Sequence, residues 1–477
     1  MAVRFHPQQA MNMAQPERYD DLVLGSGAGG KLLSWQLARS GRRVAVIERR
    51  WIGGSCPNIN CLPSKNEIWS AKVADLLHHA AQFGITTGSV AIDMTKVRQR
   101  KREMVEGLVA MHLELYRNSG AELLMGEGRF VAPKTLEVRL NDGGMRTLNA
   151  ERVFLNLGTR ATIPPIPGLA DAKPMTNIEL LELDRVPRHL VVLGGGYVGL
   201  EFAQAYRRFG SRVTVIQRGP QLLEREDLDV AEAIRELLGN EGIEIILSAE
   251  LLKAEGQSGA SVRLGLRTPE GERHVEGSDI LVAAGRTPNT AGIGLDNAGV
   301  ELDERSYIKA NDRLETSARD VWAIGECNGG PQFTHVSEHD FAIIRDNLAG
   351  GNRTTRDRLV PYCLFTDPPL AHVGLSEREA ARQGIAVRVA RLPASAVLRT
   401  RTTGENTGFM KALVEATGDR ILGFTMIGTE AGEVMAAAQT AMLGGLPSTV
   451  FRDAILTHPT MAEGLSGLFG AVPAVAH

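Results

Sequence analysis

Cys56 and Cys61 are separated by four residues, in a segment that opens with Gly53 and Gly54 and continues to Lys65. Thiols at this spacing can meet across one helical turn and form a strained, reducible disulfide. A helix N-terminus and the charge of Lys65 would favour the thiolate. The spacing also fits two buried structural thiols. A metal site needs further ligands, and no second Cys or His pair lies nearby, so no metal is expected.

The elements that must position these thiols begin with a glycine-rich turn. The turn Gly25-Ser-Gly27-Ala-Gly-Gly30 lies between an apolar strand at 21–25 and a helical segment at 31–40, and a second apolar strand ends at Glu48. Glycines in this pattern let a pyrophosphate approach the helix N-terminus, and an acid at the end of the second strand can bind a ribose. The unit predicts a dinucleotide site, against the alternative of an ordinary glycine-rich turn.

A second β-α-β unit repeats the pattern at Gly194-Gly-Gly196-Tyr197-Val-Gly199. Its second strand ends at Gln217 rather than at an acid, and Arg218 and Arg225 add positive charge. Because Arg can pair with a 2′-phosphate, the sequence favours NADPH, with NADH as the alternative. The arginines could also be ordinary solvated surface charges.

Two such units predict an α/β fold with two doubly wound dinucleotide-binding domains. We place the first domain at 18–160 and 285–349 and the second at 161–284, since a proline-rich break at 164–167 marks a hinge. After residue 350, strand-like segments mix with helices, which predicts an α+β C-terminal domain at 350–477. Residues 1–17 are expected to be a disordered leader.

Composition limits the remaining possibilities. Hydrophobic residues make up 43% of the 477 residues and the net charge is -3, so we expect neither nucleic acid nor a membrane as a partner. No run of about 18 apolar residues occurs. Four cysteines are too few for a secreted disulfide framework, which favours a cytoplasmic location.

Further motifs resemble one known family, the class I flavoprotein pyridine nucleotide-disulfide oxidoreductases, which includes glutathione reductase, dihydrolipoamide dehydrogenase and mercuric reductase. The matching segments stand in the family's order at 53–65, 194–201, 284–289, 321–327 and 458–463. The resemblance covers about residues 20–465. It implies that the first domain binds FAD, that the second binds NAD(P)H, and that the C-terminal domain forms a homodimer.

The resemblance also implies roles for the reactive side chains. Cys61 would be the flavin-proximal thiol and Cys56 the interchange thiol that attacks substrate. Lys65 and Glu201 would form an ion pair beside the flavin, and an ion pair is the usual state of a buried lysine. His458, oriented by Glu463, would be the acid and base, reaching the cysteines of the other subunit. Tyr197 would gate the nicotinamide pocket.

The residues expected to contact the two nucleotides follow from the same motifs: Gly25, Gly27, Gly30, Glu48, Gly54, Ser55, Lys65, Gly158, Gly194, Gly196, Tyr197, Gly199, Arg218, Arg225, Gly285, Gly325 and Glu326. Two of the positions nearby depart from the family pattern. Glu326 stands where Asp is usual, and Asn60 replaces a usual Gly, where we expect Asn to tolerate a left-handed backbone. Cys327 and Cys363 are expected to be inert buried thiols.

The electron acceptor is the least determined part. The C-terminal segment lacks the cysteine pair of mercuric reductase, and Gln217 disfavours the NAD used by dihydrolipoamide dehydrogenase. Trp35 is either core or a pocket residue, together with Met111 and His112; in a pocket it would favour an apolar or cationic thiol. We therefore expect an NADPH-dependent reductase of a low-molecular-weight disulfide. The alternatives are dihydrolipoamide dehydrogenase or a mercuric, metal-ion or quinone reductase; a non-enzymatic flavin-binding protein is disfavoured.

Overall fold

A computed structural model describes residues 15–356 and 358–475. The chain forms two compact units, the first from 1–58, 107–160 and 288–356 and the second from 59–106, 161–287 and 357–477. Residues 1–14 of the predicted leader lie outside the described residues. Residue 17 was expected to belong to that leader, but it begins the first strand, Glu17–Leu24.

The first unit is built on one six-stranded sheet. Val44–Glu48 is buried at every position, as in a parallel strand covered on both faces. Glu17–Leu24 pairs in parallel with Val44–Glu48 on one side and with Met145–Leu155 on the other. The sheet consists of Glu17–Leu24, Val44–Glu48, Glu122–Ala132, Thr135–Leu140, Met145–Leu155 and Val321–Ala323.

Helices follow the strands of the first unit. Ala28–Arg39 begins at the first glycine turn, and Thr334–Leu348 packs against it. A short 3₁₀ helix spans Gly325–Asn328, and the short helix Ser55–Ile59 carries Cys56. A long helix spans Met94–Ser119, with its C-terminal half in this unit.

The second unit contains a four-stranded parallel sheet. Its strands are buried runs rich in Val, Leu and Ile, in the order Asp279–Val282, His189–Leu193, Arg212–Ile216 and Glu244–Ile246. A three-stranded antiparallel sheet consists of Glu250–Gln257, Ser261–Thr268 and Gly271–Gly277. A separate two-stranded sheet pairs Thr159–Ala161 with Arg286–Pro288.

The C-terminal part of the second unit is a five-stranded antiparallel sheet with helices, as the sequence predicts for an α+β region. Its strands, in sheet order, are Tyr362–Leu364, Leu370–Gly374, Ile421–Ile427, Phe409–Glu415 and Val387–Pro393. Alternating apolar side chains from the sheet pack under the helix Ala431–Leu443 and form one apolar core.

The remaining helices of the second unit are Cys61–His78, Asn177–Leu180, Tyr197–Arg208, Leu228–Asn240, Glu377–Arg382, Leu398–Thr403, Thr449–Asp453 and Gly464–Gly470, with 3₁₀ turns at Ala80–Phe83 and Ala394–Ala396. Cys61–His78 packs against Tyr197–Arg208, which is why residues 59–106 group with this unit and not with the first domain. Within the described ranges, no helix has the length and apolar character to cross a membrane.

Candidate active site

The first glycine turn is closed by backbone contacts that exclude side chains. Gly25 has φ +96°, and a Cβ there would lie 2.2 Å from the Asn156 carbonyl oxygen. Gly30 donates its N–H to Asn156 Oδ1 at 3.1 Å. The turn is therefore fixed by Asn156, which directly follows the strand Met145–Leu155, and only glycine fits at residue 25.

Glu48 is buried behind this turn and is fully engaged by the protein. Its Oε2 accepts from the N–H and the hydroxyl of Ser26 at 2.9 and 2.8 Å. Its Oε1 accepts from the N–H groups of Arg50 and Trp51 at 2.8 and 2.9 Å. A carboxylate has about four acceptor positions, so these bonds use its capacity. Glu48 thus braces the turn, and its contact with a ribose stays a prediction.

The second predicted flavin-binding stretch lies on the same unit. Gly325 has φ +73° and donates to Asp340 Oδ2 at 2.7 Å. Glu326, in place of the usual Asp, reaches the Thr159 N–H with Oε1 at 3.0 Å. Gly158, with φ +63°, precedes that N–H. Cys327 is fully buried, and burial raises the pKa of its thiol to about 12, as expected for an inert thiol.

The predicted redox cysteines begin two successive helical segments. Gly54, with φ +86°, lies so close to the first turn that a Cβ would approach Gly27 Cα to 2.5 Å. Ser55 then begins the helix that carries Cys56, and Cys61 is the first residue of the next helix. The pairing of Cys56 with Cys61 as a redox-active disulfide stays a prediction.

Asn60 does not need the left-handed backbone that the sequence suggested. Its φ is -129°, so that expectation was wrong. Its side-chain oxygen instead accepts from Asn177 Nδ2 at 2.7 Å, and Asn177 Nδ2 also donates to the Ile59 carbonyl at 2.6 Å. A side-chain clamp, rather than glycine-like freedom, holds the residue before Cys61.

The three candidate substrate residues lie in different environments. Trp35 is only 7% exposed and packs edge-on against Tyr116, with 5.4 Å between ring centroids, so the structure places it in the core. Met111 is exposed and His112 is buried. The stacking surface that Trp35 could have offered to a cationic thiol is therefore covered.

Lys65 and Glu201 form the predicted ion pair in the second unit. Lys65 Nζ lies 2.6 Å from Glu201 Oε2 and 4.8 Å from the centre of the Phe365 ring. The other oxygen of Glu201 accepts from the Phe365 N–H at 2.9 Å. Glu201 is buried, so three contacts hold the lysine and the carboxylate in one arrangement.

At its first and last glycines, the second glycine turn is packed against backbone atoms, as the first turn is. Its middle glycine is not packed in this way. Gly194 has φ +115°, and a Cβ there would meet the Ala283 carbonyl oxygen at 2.4 Å. A Cβ on Gly199 would meet the Gly194 carbonyl oxygen at 2.2 Å. Among the described residues, nothing lies within 4 Å of a Cβ built on Gly196 or on Gly285. The space over Gly196 is open to a ligand.

Gln217 stands at the predicted ribose position of this turn. Its Oε1 accepts from the Gly195 N–H at 2.8 Å, and its Nε2 donates to Glu224 Oε1 at 2.9 Å. Arg218 and Arg225 are exposed. The residues after this turn therefore combine two exposed arginines with a neutral amide that is bonded to the Glu224 carboxylate.

Tyr197, the predicted gate, is tied to a buried carboxylate. Its hydroxyl donates to Glu226 Oε1 at 2.9 Å, and the hydroxyl of Tyr362 donates to the same oxygen at 2.8 Å. Burial and the charge of Glu226 raise the pKa of Tyr197 well above its usual value, so the phenol stays protonated as a donor. Sequence reasoning missed Glu226 and Tyr362, since neither stands in a motif.

His458 and Glu463 form the predicted dyad. His458 Nδ1 lies 2.8 Å from Glu463 Oε2, and the imidazole side chain is 62% exposed. A carboxylate on Nδ1 holds the proton there and leaves Nε2 as the acceptor. Cys363, on the strand Tyr362–Leu364, is half-buried, and burial raises the pKa of its thiol to about 11.

Both helix N-termini fit a dinucleotide pyrophosphate. Ala28–Arg39 and Tyr197–Arg208 begin after Gly27 and Gly196, and in the described structure neither has a side-chain cap or an acid in its first turn. At the first helix, the N–H groups of Gly29 and Gly30 already donate to Ser337 Oγ and Asn156 Oδ1, at 3.1 Å each. The positive end of the helix dipole still favours an anion there, as it does at the second helix. The donor sets therefore suit FAD at the first turn and a nicotinamide dinucleotide at the second.

Two glycine turns on parallel sheets, an ion pair and an exposed His–Glu dyad define the class of two-nucleotide flavoprotein reductases. Residues 19–340 match the pyridine nucleotide-disulphide oxidoreductase profile, and residues 360–468 match the dimerisation domain of the same family. The chain belongs to this family. The predicted α/β fold with its α+β C-terminal domain and the oxidoreductase class are thereby confirmed, as is the use of FAD with NAD(P)H. The dimerisation domain supports a homodimer.

Similar proteins cover nearly the whole chain. A probable pyridine nucleotide-disulfide oxidoreductase of Escherichia coli, RclA, is 35% identical over 461 residues, or 95% of this chain and 99% of that protein. A mercuric reductase of Staphylococcus aureus is 32% identical, covering 94% of this chain and 81% of that protein. A solved Cu(II) complex of RclA, the HOCl-induced flavoprotein disulfide reductase, has a TM-score of 0.87 at 33% identity, covering 96% and 100% of the two chains.

Proposed function

We propose that this protein is an NADPH-dependent FAD enzyme that reduces a low-molecular-weight disulfide through Cys56 and Cys61. The observation that carries the proposal is the His458–Glu463 dyad: its 2.8 Å bond orients an exposed imidazole for proton transfer. Thiol–disulfide exchange needs such a group, because the leaving thiolate must be protonated. In the family this histidine serves the cysteines of the other subunit.

The chemistry assigns each reactive side chain a step. When bound, FAD would supply the step that side chains cannot take, which is to accept hydride from the nicotinamide and pass two electrons to the Cys56–Cys61 disulfide, so that both thiols are regenerated. The Cys56 thiolate attacks one sulfur of the acceptor, and the acceptor's own S–S bond breaks. His458 gives a proton to the departing thiolate. The Cys61 thiolate then attacks the mixed disulfide, releases the second thiol and leaves a Cys56–Cys61 disulfide, which balances the two electrons.

The choice of NADPH is supported by charge at the second glycine turn. Arg218 and Arg225 are exposed, while Gln217 adds no negative charge. A 2′-phosphate would gain charge-assisted hydrogen bonds there, whereas the ribose of NADH would meet the Gln217 amide in place of the usual carboxylate.

A second candidate acceptor is a metal ion. The solved relative of 33% identity is a Cu(II) complex, and another relative is a mercuric reductase. Thiolates are ligands of choice for soft metal ions, so the same cysteine pair could bind and reduce one.

The acceptor screen separates these functions. Purified enzyme is given NADPH or NADH with a panel of oxidised thiols, Cu(II), Hg(II) and a quinone, and coenzyme oxidation is followed at 340 nm. We expect turnover with a disulfide and NADPH, at least tenfold above NADH. Cys56→Ser should abolish disulfide turnover and spare quinone reduction. Turnover confined to Cu(II) would favour the second candidate, and turnover only with dihydrolipoamide and NAD would overturn the first.

A further inference from the structure

Lys31 is a cation of the first unit that no motif predicts. It lies in the first turn of the helix Ala28–Arg39, one turn before Trp35. Its Nζ lies 2.6 Å from His112 Nε2 and 3.4 Å from the Gly53 carbonyl oxygen. The lysine therefore joins the long helix to the glycine segment that leads into Cys56.

The hydrogen-bond geometry fixes which of the two bases carries the charge. His112 Nδ1 lies 2.6 Å from the Leu108 carbonyl oxygen, which can only accept, so the Nδ1 nitrogen holds the proton. Nε2 then offers a lone pair to Lys31. Burial and the neighbouring Lys31 charge both lower the pKa of His112, so the imidazole is neutral and Lys31 is the ammonium.

The Lys31 ammonium has no ion-pair partner among the described residues. Burial lowers its pKa, while the nearby Cys56 and Glu338 oppose that shift. Glu338 lies on the helix Thr334–Leu348, which packs against the helix of Lys31. A half-buried cation bonded only to a neutral imidazole and a carbonyl lacks a counter-ion.

The glycine segment brings Cys56 to this cation. A Cβ on Gly53 would lie 3.0 Å from the His112 ring, so the backbone there is pressed against the imidazole. Asn58 Nδ2 donates to the carbonyls of Ile52 and Gly54 at 2.9 and 2.7 Å, which closes the loop around residue 56. Cys56 lies on this clamped loop, three residues after the carbonyl that Lys31 binds.

We propose that Lys31 is a positioning residue whose ammonium, held by His112 and Gly53, is the counter-ion of the Cys56 thiolate. The inference rests on the proposed function, in which Cys56 is the attacking thiol. Lys31 keeps its proton throughout: when Cys56 bonds to the acceptor sulfur, the leaving thiolate takes its proton from His458. The titratable groups that act on the Lys31 ammonium are Cys56, Glu338 and the neutral His112.

Alkylation of Cys56 tests this without any acceptor or nicotinamide. In a Cys61→Ser background the thiol cannot pair internally, and its iodoacetamide rate against pH, with the site identified by mass spectrometry, gives the apparent pKa of Cys56. A nearby opposite charge shifts a pKa by about 1–3 units. Lys31→Met should therefore slow alkylation at pH 7 at least tenfold, and Lys31→Arg should restore most of the rate. Lys96→Met, at an exposed lysine, should change nothing.

Two results would overturn the proposal: identical pH profiles for Lys31→Met and its background, or an Arg variant as slow as the Met variant. If Lys31→Met loses its flavin, Lys31→Gln decides instead, because it removes the charge and keeps a polar side chain. Slower alkylation at pH 7 is expected for this variant, and an unchanged profile would overturn the proposal. The two proposals can fail separately. If the enzyme reduces no disulfide but the pKa of Cys56 is lower with Lys31 than with Met at that position, the proposed acceptor is rejected and the role of Lys31 stands.

Discussion

The glycine turns at 25–30 and 194–199 each join a buried parallel strand to a helix, and each is braced by the residue that ends the following strand. At the first turn that residue is Glu48, which accepts four hydrogen bonds from three residues. At the second it is Gln217, which accepts one from Gly195. The same local pattern thus has a carboxylate that accepts four hydrogen bonds at the first turn and an amide that accepts one at the second.

The two turns also differ in the space around their middle glycines. A Cβ placed on Gly27, the middle glycine of the first turn, would lie 2.5 Å from Asn156 Oδ1, whereas one on Gly196 would have no described atom within 4 Å. The first turn is packed by the protein itself, which suits a cofactor that stays bound. The second leaves its helix N-terminus accessible, which suits a coenzyme that must exchange in every turnover.

The strongest test of this difference is Glu48→Gln. An amide can accept at one end only, so about two charge-assisted bonds are lost from a buried site, at roughly 1.5 kcal/mol each. We expect the free energy of unfolding to fall by about 3 kcal/mol and the bound flavin, read at 450 nm, to drop sharply. Gln217→Leu, its counterpart, should cost about 1 kcal/mol and leave the flavin content unchanged. Equal losses in the two variants would remove the distinction.

The middle glycines give a matched pair. Gly27→Ala must push Asn156, whose amide is bonded to both Gly30 and Ile324, so we expect a loss of about 2 kcal/mol in thermal unfolding. Gly196→Ala enters open space and should leave the melting temperature unchanged. Its methyl would instead obstruct the pyrophosphate and raise the KM for NADPH about tenfold, or about 1.4 kcal/mol of binding free energy. Destabilisation by Gly196→Ala would contradict the openness of the second turn.

Much of the architecture could be predicted from the sequence because it depends on local pattern. The two strands at 189–193 and 212–216, the helix at 94–119 and both glycine turns follow from short apolar runs and turn residues. The family motifs added Lys65 with Glu201 and His458 with Glu463, which the structure brings to 2.6 and 2.8 Å.

Contacts between distant segments could not be predicted in this way. Lys31 and His112 are 81 positions apart, and Tyr362 and Glu226 are 136 apart, so neither pair leaves a local signal. The saturation of Glu48 and the burial of Trp35 likewise depend on what packs around them. The sequence holds one signal for Lys31: it lies one helical turn before Trp35, which the sequence allows as a pocket residue.

The arginines test the charge of the second turn. Arg218→Ala removes a candidate partner of the 2′-phosphate, and we expect the KM for NADPH to rise about tenfold with kcat and the KM for NADH nearly unchanged. Arg225→Ala should act in the same direction. Arg212→Ala is the control, because Arg212 begins the strand that precedes Arg218 and is paired with Glu244 at 3.4 Å. An equal rise for both coenzymes would assign the arginines to general surface charge.

The smallest effect should come from Gln217→Glu, which makes the second turn resemble the first. The new carboxylate can still accept from the Gly195 N–H, and it offers a ribose acceptor that favours NADH. It also loses the amide bond to Glu224 and faces that carboxylate directly, because the two side chains are 2.9 Å apart in the native protein. We therefore expect the NADPH-to-NADH ratio of kcat/KM to fall only about threefold. If the ratio falls much further, so that NADH becomes the better coenzyme, the side chain at residue 217 and not Arg218 determines the coenzyme preference.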